Sequence, residues 1–224
     1  MEKVCATIAP AAKAGLTIVD LSTTTVASAR KVAASLEQSG IKFADAPVAR
    51  TREAAQRGEL SIMVGASQPV FDHVSPLLAF TATDITHGGD VGAGQVLKLV
   101  NNMLVFANTV ALAEMMVLGE KGGVAPEILL DAVSKGSGDS FVLRNHGRKA
   151  MLPREFPERS FPPEYVLKDI GYVFDLAEET GVKLPAADTV RSYYRTAIEQ
   201  GLGGRYFPGV IGVVEDGSWK ESEK

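Results

Sequence analysis

Lys98 and Asn102 stand four residues apart in a long apolar run, which places them one above the other on a single helix face. A cation and an amide at that spacing suit a substrate that carries a reacting oxygen. When an aldehyde accepts a hydride, negative charge develops on its oxygen; an ammonium neutralises that charge and hands over a proton. In the reverse direction a neutral Lys98 takes the hydroxyl proton, which requires its pKa to be lowered by burial or positive neighbours. Asn102 would orient the hydroxyl or carbonyl, and Asn101 beside it could help with the substrate's acidic end. Two other readings compete. On an unspecified helix Lys98 simply snorkels to water and the Asn pair is a polar stripe. The preceding turn, Gly88-Gly89-Asp90-Val91-Gly92-Ala93-Gly94, also suggests a dinucleotide loop. That reading fails on detail: Leu97 holds the third glycine position, and no acidic residue follows a second strand about 20 residues on.

The elements around this segment fall into two kinds. Residues 1–87 alternate short β-branched runs with helical stretches. Strands are expected at Leu16–Leu21, Lys42–Ala46 (stopped by Pro47), Leu60–Gly65 and Ile85–His87. Helices are expected at Val26–Ser39, opened by the hydroxyls of residues 22–25 and closed by Gly40, and at Gln68–Phe80 after a Ser67 cap. This alternation predicts an α/β layer with parallel or mixed pairing. From Gln95 onward strand signals fade. A core helix runs to Gly119–Gly123, and helices follow at Pro126–Ser134, Tyr165–Thr180 and Ala186–Glu199, with a loop over 136–140 and a frayed charged tail from Glu215. The second part is all-α, with the boundary near Gly88–Gly94.

Composition narrows the function classes. A chain of 224 residues with 46% hydrophobic and 22% charged residues is of ordinary globular type, and its net charge of −4 with no basic stripe argues against nucleic acid. Cys5 is the single cysteine, so no intrachain disulfide can form and a reducing, cytoplasmic setting is expected. The apolar run through Leu97–Leu118 is interrupted by Lys98, Asn101, Asn102, Asn108 and Glu114, and reads as a buried core helix rather than a membrane span. His73, His87 and His146 lack ligand spacing, so no metal is expected.

The segment Gly89-x-x-Gly92-x-Gly94-x-x-x-Lys98-x-x-Asn101-Asn102 resembles the catalytic segment of the β-hydroxyacid dehydrogenase family. The resemblance extends over most of the chain. It implies a partial Rossmann α/β domain over residues 1–90 followed by an all-α domain over 91–224, and it implies catalysis by Lys98 with Asn102 and Asn101 on the substrate. It implies that NAD, or alternatively NADP, meets Thr23 in the Asp20-Leu21-Ser22-Thr23 turn and Lys168 in the Lys168-Asp169 pair. Taken alone, that turn reads first as a helix N-cap and the Lys-Asp pair as surface charge.

Asp45-Ala46-Pro47-Val48-Ala49-Arg50-Thr51 departs from the family. Most members resemble Asp-Ala-Pro-Val-Ser-Gly-Gly, a turn that holds a substrate carboxylate. Ala49, Arg50 and Thr51 replace it here, and are similar to the Gly-Arg-Thr turn of the sulfonate-reducing members, although Arg52 follows where a small polar residue would be closer. A guanidinium fork and a hydroxyl suit an oxyanion; the plainer reading makes Arg50 a solvated charge. A small anionic hydroxy acid or aldehyde is therefore the expected substrate, and a homo-oligomer through the helical domain the expected assembly. The family's opening strand, Gly-x-Gly-x-x-Gly turn and helix have no match in these residues. The chain is accordingly expected to begin partway through the Rossmann domain and to bind NAD poorly alone. A second expectation is an inactive remnant that serves as an oligomerisation module.

Overall fold

The computed structural model describes residues 1–13 and 15–218 and divides into two compact units, the first over Met1–Asn101 and the second from Asn102 onward. In the first unit the elements are α1 (Glu2–Ile8) with a 3-10 turn over Ala9–Ala11, β1 (Thr17–Asp20), α2 (Val26–Glu37), β2 (Lys42–Asp45), β3 (Val48–Ala49), α3 (Arg52–Gln56), β4 (Leu60–Gly65), α4 (Gln68–Leu78) and β5 (Ala82–Gly89). Helix α5 (Ala93–Lys121) leaves this unit and continues into the second.

Pairing is mixed. β1 runs parallel to β2 from Thr17↔Lys42 to Asp20↔Asp45, and β4 runs parallel to β5. Between them, β2 and β3 lie antiparallel to β4 at Asp45↔Gly65, Val48↔Ile62 and Ala49↔Ser61. That register is continuous, so β2 and β3 are one strand interrupted at Ala46-Pro47, where proline has no N–H to give a ladder. The Pro47 carbonyl still accepts the Met63 N–H at 3.1 Å. β5 is longer than the Ile85–His87 expected from sequence. Thr83 and Asp84 obscure it as exposed polar residues on a strand that pairs on one side only.

Successive residues of β2 face opposite ways. Phe43 packs with Cys5, Ala29, Val32 and Leu36 from α1 and α2, whereas Ala44 packs with Ile62, Val64, Val70 and Val74 from β4 and α4. Local signals behave as read: Thr25 Oγ1 accepts the Ser28 N–H at 3.0 Å to open α2, and Gly40 turns the chain at φ 67°. Ser67 occupies the N-cap position of α4, but its side chain makes no capping hydrogen bond.

The second unit is helical: the rest of α5, α6 (Pro126–Val133), a π-helical segment Leu143–Met151, α7 (Pro163–Thr180), α8 (Pro185–Ala197) continuing into a wide turn over Ile198–Leu202, a 3-10 turn Phe207–Val210 and α9 (Ile211–Glu215). An isolated bridge joins Glu158 and Arg205. One cluster gathers Phe106, Val110, Val166, Ile170, Tyr194 and Phe207; another gathers Met116, Leu130, Leu143, Met151 and Ile211. Gly181 ends α7 in the left-handed conformation, φ 73°. Two sequence expectations change here. Helix α5 is buried on one face only, since Val100, Leu104, Met115 and Leu118 are each more than half exposed. Glu215 is not frayed: its carboxylate takes the Arg154 Nε–H at 2.7 Å, while residues 219–224 of the expected tail lie outside the described residues.

Candidate active site

The glycine-rich turn before α5 is shaped by Asp45, which is fully buried at the end of β2. Its Oδ1 accepts the Gly92 N–H at 2.7 Å and its Oδ2 accepts the Gln95 N–H at 2.8 Å. Both belong to the opening turn of α5, where backbone N–H groups have no helical acceptor. Burial pushes the Asp45 carboxyl above its usual range, against the opposing effect of those two hydrogen bonds. The glycines follow from this close approach. A Cβ on Gly94 would collide with the carbonyl oxygens of Met63 and Asp45, and one on Gly65 with Asp45 Oδ1. Gly92 sits at φ 97°, a conformation that side chains disfavour. The helix start that resembled a phosphate loop is thus occupied by a carboxylate of the chain itself.

Thr23 lies at the C-terminal edge of β1 in a tightly bonded turn. Asp20 Oδ1 accepts both the Ser22 N–H at 3.1 Å and the Ser22 hydroxyl at 2.7 Å. Gln95, completely buried in the first turn of α5, closes the turn from the other side. Its Oε1 accepts the Thr24 N–H at 3.0 Å, and its Nε2 donates to the Ser22 carbonyl at 2.9 Å. Asp20 Oδ2 is buried there without a hydrogen-bond partner. An unfilled acceptor next to a rigid turn at a strand's C-terminal edge fits the polar end of a nucleotide cofactor.

The Ala49-Arg50-Thr51 turn follows β3. Ala49 is buried, while Arg50 adopts φ 84°, the left-handed region that L side chains disfavour. Its guanidinium donates to the Glu59 carbonyl at 2.6 Å and the Thr83 hydroxyl at 2.8 Å, and it pairs with Asp84. The Thr83 hydroxyl and then Arg50 hold the Asp84 carboxyl below its ordinary range. Thr51 caps α3, its Oγ1 accepting the Ala54 N–H at 3.3 Å and its hydroxyl donating to Glu53 at 3.0 Å. These side chains are therefore engaged with their own unit.

Lys98 is half-buried one turn before Asn102 on α5. Within the second unit the structure joins Asn102 to Lys168 through a residue that sequence reading had not assigned. Asn102 is buried, and its Nδ2 donates to Asp169 Oδ2 at 2.7 Å. Asp169, also buried, contacts the Lys168 ammonium at 3.1 Å through its other oxygen. That ammonium lies over the rings of Tyr165 and Tyr172, at 5.8 and 5.4 Å from their centroids. Donation to Asp169 fixes which way the Asn102 amide is turned and sends its carbonyl oxygen, an acceptor, to the opposite side. Asn101 is half-buried on the neighbouring face. Gln95 escaped the sequence reading, and Asp45 and Asp169 entered it only within the Asp45–Thr51 and Lys168-Asp169 segments with no role of their own, because their meaning rests on partners 47 to 73 residues away. Among the described residues no group of three or more His, Cys, Asp and Glu side chains is placed to hold a metal ion.

An α/β unit with a polar turn at the C-terminal edge of β1 fits the binding of a nucleotide cofactor. Comparison with known proteins makes this specific. Residues 92–214 match the family described as NAD-binding of NADP-dependent 3-hydroxyisobutyrate dehydrogenase, and residues 1–89 match the NAD binding domain of 6-phosphogluconate dehydrogenase. The 2-(hydroxymethyl)glutarate dehydrogenase of Eubacterium barkeri is 37% identical over 205 residues, covering 92% of this chain and 68% of that protein. The 2-hydroxy-3-oxopropionate reductase of Escherichia coli strain K12 is 30% identical over 191 residues, 84% of this chain and 63% of that one. The Mycobacterium tuberculosis 3-hydroxyisobutyrate dehydrogenase structure with L-serine superposes with a TM-score of 0.86 at 27% identity, covering 95% of this chain and 76% of that one. The chain belongs to the β-hydroxyacid dehydrogenase family of NAD(P)-dependent oxidoreductases. It spans roughly two thirds of the length of the curated relatives it matches, 68% of one and 63% of the other named here.

Proposed function

We propose that the protein transfers a hydride between NAD(P) and a small hydroxy acid or aldehyde that bears an anionic group. The observation that carries this reading is the Lys98–Asn102 pair on α5 with the Asn102 amide turned by Asp169. When bound, the nicotinamide supplies or accepts the hydride. The chain's own residues do the rest. In reduction, the carbonyl carbon gains the hydride and its oxygen gains a proton from the Lys98 ammonium, which becomes neutral. Asn102 orients that oxygen, its amide oxygen accepting from the hydroxyl form and its second Nδ2 hydrogen, the one not given to Asp169, donating to the carbonyl form, and Asn101 assists at the acidic end of the substrate. Thr23 and Lys168 contact the cofactor. Ala49, Arg50 and Thr51 meet the substrate anion, which competes with Asp84 for the Arg50 guanidinium.

NADH and NADPH oxidation by the purified protein, with small aldehydes bearing carboxylate or sulfonate groups, tests the reading. Lys98→Ala is expected to lower kcat/KM by about 10²–10⁴-fold, the range of a lost general acid. Absence of turnover with every aldehyde in a folded protein would overturn it. A second reading, that the chain serves mainly to associate, draws on the exposed apolar stripe of α5: Val100 is 53% exposed, Leu104 59%, Met115 51% and Leu118 63%. Such a stripe suits burial against another copy of the chain. Association through this stripe is compatible with catalysis, whereas an inactive remnant is not and is the reading that survives if no aldehyde turns over; we place the enzyme in the cytoplasm as a homo-oligomer.

A further inference from the structure

Gln95 joins three parts of the first unit. Its backbone N–H goes to Asp45, its side-chain oxygen takes the Thr24 N–H, and its side-chain nitrogen reaches the Ser22 carbonyl. The residue has no exposed surface. The last two bonds bracket Thr23 on both sides, as a neighbouring strand brackets the residue between two ladder bonds. A primary amide is suited to this task because it offers one acceptor and donors on the same planar group. A carboxylate at position 95 would turn its second oxygen toward the Ser22 carbonyl, acceptor against acceptor. An asparagine is one methylene short. A leucine or methionine leaves the partly buried Thr24 N–H and Ser22 C=O without this partner. Three residues further along the same helix comes Lys98.

We propose that Gln95 is a positioning residue: it holds the Ser22-Thr23-Thr24 turn in the shape that receives the nicotinamide end of the cofactor, and it ties that turn to the helix carrying Lys98. This rests on the assignment of Thr23 to the cofactor. Gln95 touches neither substrate nor cofactor; it acts through the backbone on either side of Thr23. Its loss acts at the nicotinamide end and spares the adenosine end.

The test is a binding titration on the purified protein, using NADH fluorescence and, separately, ADP-ribose as a probe that lacks nicotinamide. Gln95→Met is expected to weaken NADH binding about tenfold, the cost of ordering on binding a turn that these two hydrogen bonds no longer hold in place, with ADP-ribose affinity unchanged. Gln95→Glu supplies a readout that a structural defect would not give. Its NADH affinity is expected to recover toward wild type as pH falls and the buried carboxyl regains a proton to donate to Ser22, while Gln95→Met shows no such recovery. Equal weakening of NADH and ADP-ribose in Gln95→Met would overturn the proposal. So would NADH affinity that falls in Thr23→Ala and stays intact in Gln95→Met. If both variants bind NADH normally, the assignment of Thr23 itself fails, and the proposal with it.

Discussion

Replacing Asp45 with alanine removes the acceptor for two buried N–H groups at once, those of Gly92 and Gln95. Each buried donor left without a partner costs about 1–3 kcal/mol, and loss of a helix N-cap alone costs about 0.5–2 kcal/mol. Part of this is offset, because the variant no longer buries a carboxylate, and that burial is what raises the Asp45 pKa. The net expectation for Asp45→Ala is a loss of about 2–4 kcal/mol, which at about 2–4 °C per kcal/mol for a chain of this size lowers Tm by roughly 5–15 °C. Asp45→Asn keeps one acceptor and turns an NH2 toward the other N–H, so about half the loss is expected. Urea unfolding followed by circular dichroism gives the magnitude, and amide hydrogen exchange gives the location. The amides of Gly92 and Gln95 should lose protection out of proportion to those in the middle of α5. Stability of Asp45→Ala within about 0.5 kcal/mol of wild type, or unchanged exchange at those two amides, would refute the reasoning.

Arg50→Gly removes a side chain from a backbone at φ 84°, where an L-residue is disfavoured by roughly 1–2 kcal/mol, and it also removes an exposed ion pair. Tm should move little, whereas KM ratios between carboxylate and sulfonate aldehydes should shift; unchanged ratios would take the guanidinium out of substrate selection. His146 gives a pH dependence. It is 8% exposed, its Nδ1 is paired with the Tyr206 hydroxyl at 2.8 Å, and burial, helped by Lys149, lowers its pKa from 6.5 to about 4. Between pH 4 and 6.5 the unfolded chain therefore holds a proton that the folded chain lacks, so stability rises with pH through that window. About 3 kcal/mol should be lost on acidification from pH 7 to 4. Urea midpoints across that range for wild type and His146→Phe check it, and parallel curves for the two would count against it.

Sequence alone determined the features that depend on neighbours a few residues apart. The helix ends at Gly40 and Gly181 follow from backbone freedom, and the α2 start from the Thr25 hydroxyl three residues before the amide it caps. The stacking of Lys98 over Asn102 follows from helix pitch. Tertiary structure decided the rest. β3 is two residues long and shows no alternation to read; it exists because β4 offers it a register continuous with β2. The direction in which Arg50 points was open until β5 brought Thr83 and Asp84 beside it. The same holds for Asp45 at the head of α5, Gln95 around Thr23, and Asp169 behind Asn102. Each is a buried polar side chain whose partner lies dozens of residues away, and burial obliges such groups to pair without the local sequence saying with what.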